Sequence, residues 1–198
     1  IHQRWKRVGY PFDHLVPSLG TALGSSGDKP AALAELMGII LNDGVRLPTL
    51  RIDHLHFAEN TPYDTAVHRK PVAGEQVMTP EVATTLRSIL AEVVENGTAR
   101  RLAGGYVQPD GAKLVMGGKT GTGDNRIIRV GAGGARINSR ALSRTATFVF
   151  YLGERHFGTL TAFIVGEEAS HYSFTSALPV QVLRGMAPIL QPYLAPGQ

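Results

Sequence analysis

The segment Gly117-Gly118-Lys119-Thr120-Gly121-Thr122-Gly123 gathers a cation, two hydroxyls and four glycines into seven residues, a composition suited to holding an anion. Two chemistries compete for it. A phosphate-binding P-loop needs a glycine five residues before Gly118 and a helix directly after Thr120. That position is Lys113, the intervening Leu114-Val115-Met116 reads as strand, and Gly121 to Asn125 is a poor helix start, so the P-loop is excluded. The second chemistry belongs to an edge strand. Lys119 with the hydroxyls of Thr120 and Thr122 would hold a carboxylate, Gly121 would let a substrate backbone come close, and unpaired strand N–H groups would pair with an extended peptide. The plain alternative for so short a motif is a glycine-rich turn with an exposed lysine.

The elements that must position this segment follow from periodicity and turn residues. Residues 1–27, with Pro11, Pro17, Gly20 and the run Gly24 to Gly27, read as extended loop. Asp28 as cap and Pro30 in the first turn predict a helix through Leu41, with Leu33, Leu36, Met37, Ile40 and Leu41 at helical spacing. Leu50–Ala58 and Thr65–Lys70 flank Asn60-Thr61-Pro62 as a hairpin. Thr79, Pro80 and Glu81 open a second helix with Val82, Leu86, Ile89, Leu90 and Val93 on one face; Asn96-Gly97 ends it, and Thr98 is placed to cap a short turn through Leu102. After the turn Pro109-Asp110-Gly111 the pattern becomes strands: Lys113–Met116 ending in Gly117-Gly118, then Arg144–Leu152 and Thr159–Val165 joined through Gly153 and Gly158. A helix from about Ser176, with Leu178, Val182, Leu183, Met186 and Leu190 recurring, closes the chain. The expectation is one α+β domain, an antiparallel sheet packed with helices, divided as 1–27 loop, 28–112 helical region with a hairpin, and 113–198 strands and last helix.

Composition narrows the function. With 198 residues, 43% apolar and 18% charged, the chain is outside the disordered class. It has no Cys, which excludes disulfide scaffolds, Cys-ligated metals and cysteine nucleophiles. No apolar run approaches the ~20 residues of a membrane span. The chain begins at Ile1 with no initiator Met and no signal-type stretch, which predicts a piece of a longer protein with any anchor upstream. Residues 119–144 hold six basic residues against Asp124 alone, while the rest of the chain carries no surplus of positive charge. Such a stretch attracts anions or is a solvated loop. Nucleic acid is disfavoured because no Phe, Tyr or Trp interleaves the arginines. His54-Leu55-His56 puts two imidazoles on one strand face, but the only third ligand beside them in sequence is Asp53, so exposed hairpin histidines are expected instead. Gly131 to Arg136 follows no strand and opens no helix, so it is no dinucleotide fingerprint and reads as a flexible loop beside the site.

Four landmarks in order carry a resemblance. Pro17 to Ser26, Val77-Met78-Thr79-Pro80-Glu81, Val93 to Arg100 and Gly117-Gly118-Lys119-Thr120-Gly121-Thr122 are similar to successive segments of the penicillin-binding proteins. The chain resembles the carboxy-terminal portion of the transpeptidase domain in the bifunctional class that also polymerises glycan strands. The resemblance implies a partial serine β-lactamase-like fold and acyl transfer without cofactor. It implies that Lys119 polarises the site, that Thr120 and Thr122 bind the carboxylate of a D-Ala-D-Ala stem peptide or a β-lactam, that Gly121 admits the donor backbone, and that the Thr122 N–H forms part of an oxyanion hole. It also implies a periplasmic or outer-surface location and a membrane contact only through an upstream anchor.

The chain departs from the family pattern at the nucleophile. The family's Ser-x-x-Lys lies well before the matching region and its Ser-x-Asn on a later loop; here Ser-x-x-Lys occurs only as Ser26-Gly27-Asp28-Lys29, and Ser-x-Asn nowhere. Asp28 would keep Lys29 charged and Pro30 obstructs a helix containing both, so Ser26 reads as a loop or cap residue. Where the family often has Asp-x-Trp, Arg144-Thr145-Ala146-Thr147-Phe148 stands. The expected activity therefore belongs to a longer protein, this chain alone being inactive. Strands apolar on both faces then predict association with the missing amino-terminal portion or with a second copy. The rival expectation is a non-catalytic module that holds cell wall or a partner.

Overall fold

A computed structural model describes residues 1–24, 26–52 and 54–194. The regular elements are α1 (His2–Arg7), α2 (Pro30–Leu41), β1 (Val45–Arg46), β2 (His54–Phe57), β3 (Thr65–His68), β4 (Glu75–Gln76), α3 (Pro80–Glu95), β5 (Met116–Val130), β6 (Arg136–Leu152), β7 (His156–Val165), α4 (Ala177–Gly185) and α5 (Ala187–Leu190). Strands β5, β6 and β7 form an antiparallel sheet in that order, β1 pairs with β4, and β2 with β3. This is the expected α+β arrangement of an antiparallel sheet packed with helices.

The first 27 residues are not simply extended. They contain α1 and a 3-10 turn at Leu19–Leu23. Their prolines and glycines point to loop, but an aromatic cluster orders them, in which Tyr10 is buried and the rings of His2, Trp5 and Phe12 meet it edge-on at 5.5–5.8 Å. At α2 the cap is Lys29; the Asp28 carboxylate accepts the Lys29 N–H at 2.7 Å and caps nothing. At α3 Thr79 is the cap residue without a side-chain cap bond, and Pro80 occupies the first turn as expected. Its buried residues are Ala83 and Val94, while Val82 and Ile89 are exposed, so the apolar stripe is only partly covered.

The sheet departs most from expectation in β5. It does not stop at Gly117-Gly118 but runs fifteen residues through the whole glycine-rich segment, paired with a β6 of seventeen residues. Residues 119–144 are thus a long β-ribbon rather than a loop. The ladder jumps from Asn125↔Ser143 to Arg126↔Ala141, leaving Leu142 as an extra residue on β6, the signature of a bulge. The ribbon turns at Gly131–Ala135, with Gly133 and Gly134 at φ +89° and +81°. That turn lies roughly 26 Å along the strand from Thr122 at ~3.3 Å per residue, not beside the site. Between β6 and β7 the turn is Gly153–Arg155, and Gly158 sits inside β7 opposite Phe150.

The core lies on the sheet face bearing Phe148, Phe150 and Leu152. It adds Met116, Leu114, Val94, Ala99, Leu102, Tyr106 and, from α4, Val180 and Leu183. The Tyr106 hydroxyl donates to the Leu183 carbonyl at 2.6 Å and ties the segment before β5 to α4. The expected last helix is broken at Met186 into α4 and α5, and it buries Pro179, Val180 and Leu183 while Leu178 and Val182 stay exposed. On the opposite sheet face the Phe157 ring fills the space above Gly38 of α2, and the Tyr151 hydroxyl donates to the Arg87 carbonyl of α3 at 2.9 Å.

Candidate functional site

The glycine-rich segment is positioned by what crosses it. A Cβ on Gly117 would lie 2.3 Å from the Tyr151 ring, and one on Gly118 would lie 2.4 Å from the Val149 carbonyl and 2.6 Å from the Phe148 ring. These two glycines therefore give room to rings on both faces of the sheet and lock the strand against β6. Gly121 is different: a Cβ there would meet nothing within 4 Å. One segment thus contains packing glycines followed by a glycine in open space.

The pleat sorts the polar residues. Thr120 faces Phe148 and Thr122 faces Ala146 across the ladder, on the core side, whereas Lys119 and Gly121 face Val149 and Thr147 on the other. The structure accordingly brings Thr120 and Thr122 onto one face and places the Lys119 side chain on the opposite one, with the strand backbone between. Lys119 is exposed, and its ammonium donates to the Thr120 carbonyl at 2.7 Å, leaving two of its three donors. Thr120 is buried, and its hydroxyl shares a hydrogen bond of 2.7 Å with the Thr98 hydroxyl. Thr122 is exposed; its hydroxyl oxygen accepts the Ser176 N–H at 3.0 Å, so its own proton remains free to donate.

Thr98 does not take the capping role that its sequence position predicts. The short turn at Arg100–Leu102 is capped by Ala99 without a side-chain bond, and the Thr98 hydroxyl is turned to the strand instead.

Beyond Thr122, Asp124 stands opposite Arg144 but pairs with Arg126 at 3.0 Å. Arg144 donates to the Phe174 carbonyl at 2.8 Å and lies 5.6 Å above the Phe174 ring. It thereby fastens the segment leading into α4 alongside Thr122.

Ser26 does not face Lys29. Its hydroxyl accepts the Val16 N–H at 3.1 Å and lies 3.2 Å from the Thr21 hydroxyl, closing the loop around the 3-10 turn, while Lys29 sits over the Phe12 ring at 5.4 Å. Ser25 and Asp53 lie outside the described residues. Among the described residues the larger concavities lie away from Lys119–Thr122. One of about 730 Å³ opens between α2, Leu47, Leu50 and Phe157, one of about 660 Å³ between Gly9, Lys29, Glu35 and Arg51, and one of about 440 Å³ between Arg87, Ala91, Leu114 and Tyr151.

The sheet with helices on both faces is a transpeptidase architecture. It superposes on the penicillin-binding protein PonA1 of Mycobacterium tuberculosis with a TM-score of 0.62 at 16% identity, covering 94% of this chain and 48% of that one. Penicillin-binding protein 3 of the same organism, complexed with aztreonam, gives a TM-score of 0.59 at 17% identity, covering 97% and 46%. At that identity the likeness is of fold. The family model of the penicillin-binding protein transpeptidase domain matches residues 17–148, and the chain belongs to that family. It is 30% identical over 129 residues to penicillin-binding protein 1A of Neisseria cinerea, covering 63% of this chain, and 32% identical over 125 residues to that of Neisseria lactamica, covering 61%. The matched stretch is 15% of the length of each of these relatives.

Proposed function

We propose that this chain supplies the acyl-donor-binding strand of a D,D-transpeptidase that cross-links peptidoglycan by serine acyl transfer. The observation that carries the reading is the Lys119–Thr122 segment on β5, whose outer edge has no strand partner among the described residues, in a chain of the transpeptidase family. An extended D-Ala-D-Ala stem peptide pairs with that edge. The free hydroxyl proton of exposed Thr122 meets its carboxylate, buried Thr120 anchors that part of the strand through its bond to Thr98, Lys119 adds positive charge from the other strand face, and the open space at Gly121 admits the donor backbone.

In this reading a serine outside these 198 residues attacks the penultimate D-alanine carbonyl. The carbonyl oxygen takes up negative charge beside the Thr122 N–H, and collapse forms an ester while the terminal D-alanine leaves with the serine's proton. The amine of a neighbouring stem peptide then attacks the ester, forms the cross-link and returns a proton to the serine. β-Lactam binding, seen in the aztreonam complex of penicillin-binding protein 3 from Mycobacterium tuberculosis, extends in this reading to the protein that contains this chain. Its substrate puts it in the periplasm or on the outer face of the cytoplasmic membrane; no helix among the described residues is long and apolar enough to cross that membrane. Exposed Val82 and Ile89 on α3, Leu178 and Val182 on α4, and Phe163 and Val165 on β7 support a further covering segment, the nucleophile-bearing portion of the same protein.

The second reading, a non-catalytic module that holds cell wall, is favoured by one observation: the single Ser-x-x-Lys of the chain is folded into the loop at Val16–Ser26. Intact-mass measurement after incubation with benzylpenicillin separates the possibilities. The chain alone is expected to show no stoichiometric adduct, and the longer protein one adduct per molecule. An adduct on the chain alone that disappears in Ser26→Ala would put the nucleophile here, and no adduct on the longer protein would favour the binding module.

A further inference from the structure

The β2–β3 hairpin is exposed along its whole length, and a two-stranded hairpin with no packing partner is marginal in water. Its side chains separate cleanly by face. Leu55, Phe57 and Val67 share one face, and the register His54↔His68 and His56↔Ala66 collects His54, His56 and His68 on the other. The His54 and His68 rings stack with centroids 5.8 Å apart and an angle of 25°. His56 Nε2 is 2.6 Å from the Asp64 carboxylate. Sequence spacing provides two imidazoles on this face; the strand register provides the third, from fourteen residues away from His54.

We infer that His54, His56 and His68 form a binding site for a divalent transition-metal ion of the zinc class. Three imidazoles are a sufficient protein ligand set for such an ion, with a fourth position for water. Imidazole nitrogen without thiolate suits zinc, copper or nickel, and three nitrogen donors disfavour magnesium and calcium, which take oxygen. The Asp64 contact has a consequence for His56. A proton held on Nε2 by the carboxylate leaves the Nδ1 lone pair as the ligand, the arrangement in which an outer carboxylate orients a metal-bound histidine. Directly opposed residues of antiparallel strands have Cβ atoms ~4.5–5.5 Å apart, so the His54 and His68 rings reach a common point between the strands. With the two rings stacked, no three His, Asp or Glu side chains among the described residues already converge on such a point. The site therefore forms by rotation of exposed rings, a picosecond-to-nanosecond motion. Coordination across the strands then clips together a hairpin that little else holds, because the binding free energy appears as local folding.

The test uses the 198-residue chain with any affinity tag removed, CoCl2 as a visible probe and ZnCl2 titrated by calorimetry. One equivalent of Zn²⁺ is expected to bind and to bleach the d–d band of the Co²⁺ form. His54→Ala and His68→Ala should each weaken binding at least tenfold, and Asp64→Asn roughly tenfold, the lower end for an outer-shell partner. His14→Ala and His171→Ala should leave it unchanged. All five positions are outside the core, and circular dichroism checks that each variant is folded. Absence of saturable binding, or an affinity unaltered in the His54→Ala/His68→Ala double variant, overturns the assignment.

Discussion

Along β5 and β6 a single ladder passes through two environments. The pairs from Met116↔Leu152 to Thr120↔Phe148 are wedged between packed layers, with Met116, Gly117, Gly118 and Thr120 buried. From Gly121 to Val130 every β5 residue is exposed, and the strand is held by its pairing with β6. Lys119 to Thr122 straddle the change. A strand fixed at one end by rings and open at the other can present hydroxyls and backbone groups in a set place while leaving room for a partner. The difference teaches that stability and ligand access are separated along the strand, not between its faces alone.

Breaking the packed half should have the largest effect. Phe148→Ala empties a fully buried ring site and is expected to cost about 3–5 kcal/mol. Gly118→Val drives a side chain into the Val149 carbonyl and the Phe148 ring and should cost at least the ~1–3 kcal/mol of overpacking. Urea denaturation followed by circular dichroism measures both, and a loss below 1 kcal/mol in either would mean that the rings do not fix this strand.

The rings also carry a pH signature. Burial raises the Tyr106 and Tyr151 phenols above their ordinary value near 10, the charge of Arg87 working the other way at Tyr151. Above about pH 10 the unfolded chain gives up these protons while the folded chain keeps them, so the folded state binds more protons and stability falls as pH rises. Tyr106→Phe/Tyr151→Phe should flatten that fall, at a cost of about 1 kcal/mol per lost hydrogen bond at neutral pH. An unchanged slope would show that the alkaline loss originates elsewhere.

The open half should respond least. Ile137→Ser and Arg129→Ser, both on the exposed part of the ribbon, are expected to stay within ~0.5 kcal/mol of the wild type in the same urea experiment. A cost above 1 kcal/mol would show that the ribbon packs on something in solution.

The contrast also explains what could be read in the sequence. Helices α2 and α3 were legible because Pro30 and Pro80 mark their starts and apolar residues recur inside them, and β6 and β7 because β-branched and aromatic residues cluster where a face is buried. The extension of β5 to Val130 was not. An exposed ribbon buries no face, so its residues need not alternate, and glycines that make room for Tyr151 and Phe148 look the same as turn glycines. At the site, the residue types of the Lys119–Thr122 segment were visible. The partner hydroxyl of Thr98, the separation of Lys119 from the threonines, and the third histidine opposite His54 depend on tertiary contacts and register, which no local pattern encodes.

The central proposal is that Lys119 serves acylation, not folding. Its direct test is labelling by a fluorescent penicillin in the protein that joins this chain to its nucleophile, comparing wild type with Lys119→Ala alongside thermal unfolding of both. Lys119 is an exposed strand residue, so its truncation should change stability by no more than ~0.5 kcal/mol. The acylation rate should fall about a hundredfold or more, as when an oriented group stabilising developing charge is removed. Equal labelling rates with equal stability would contradict the account.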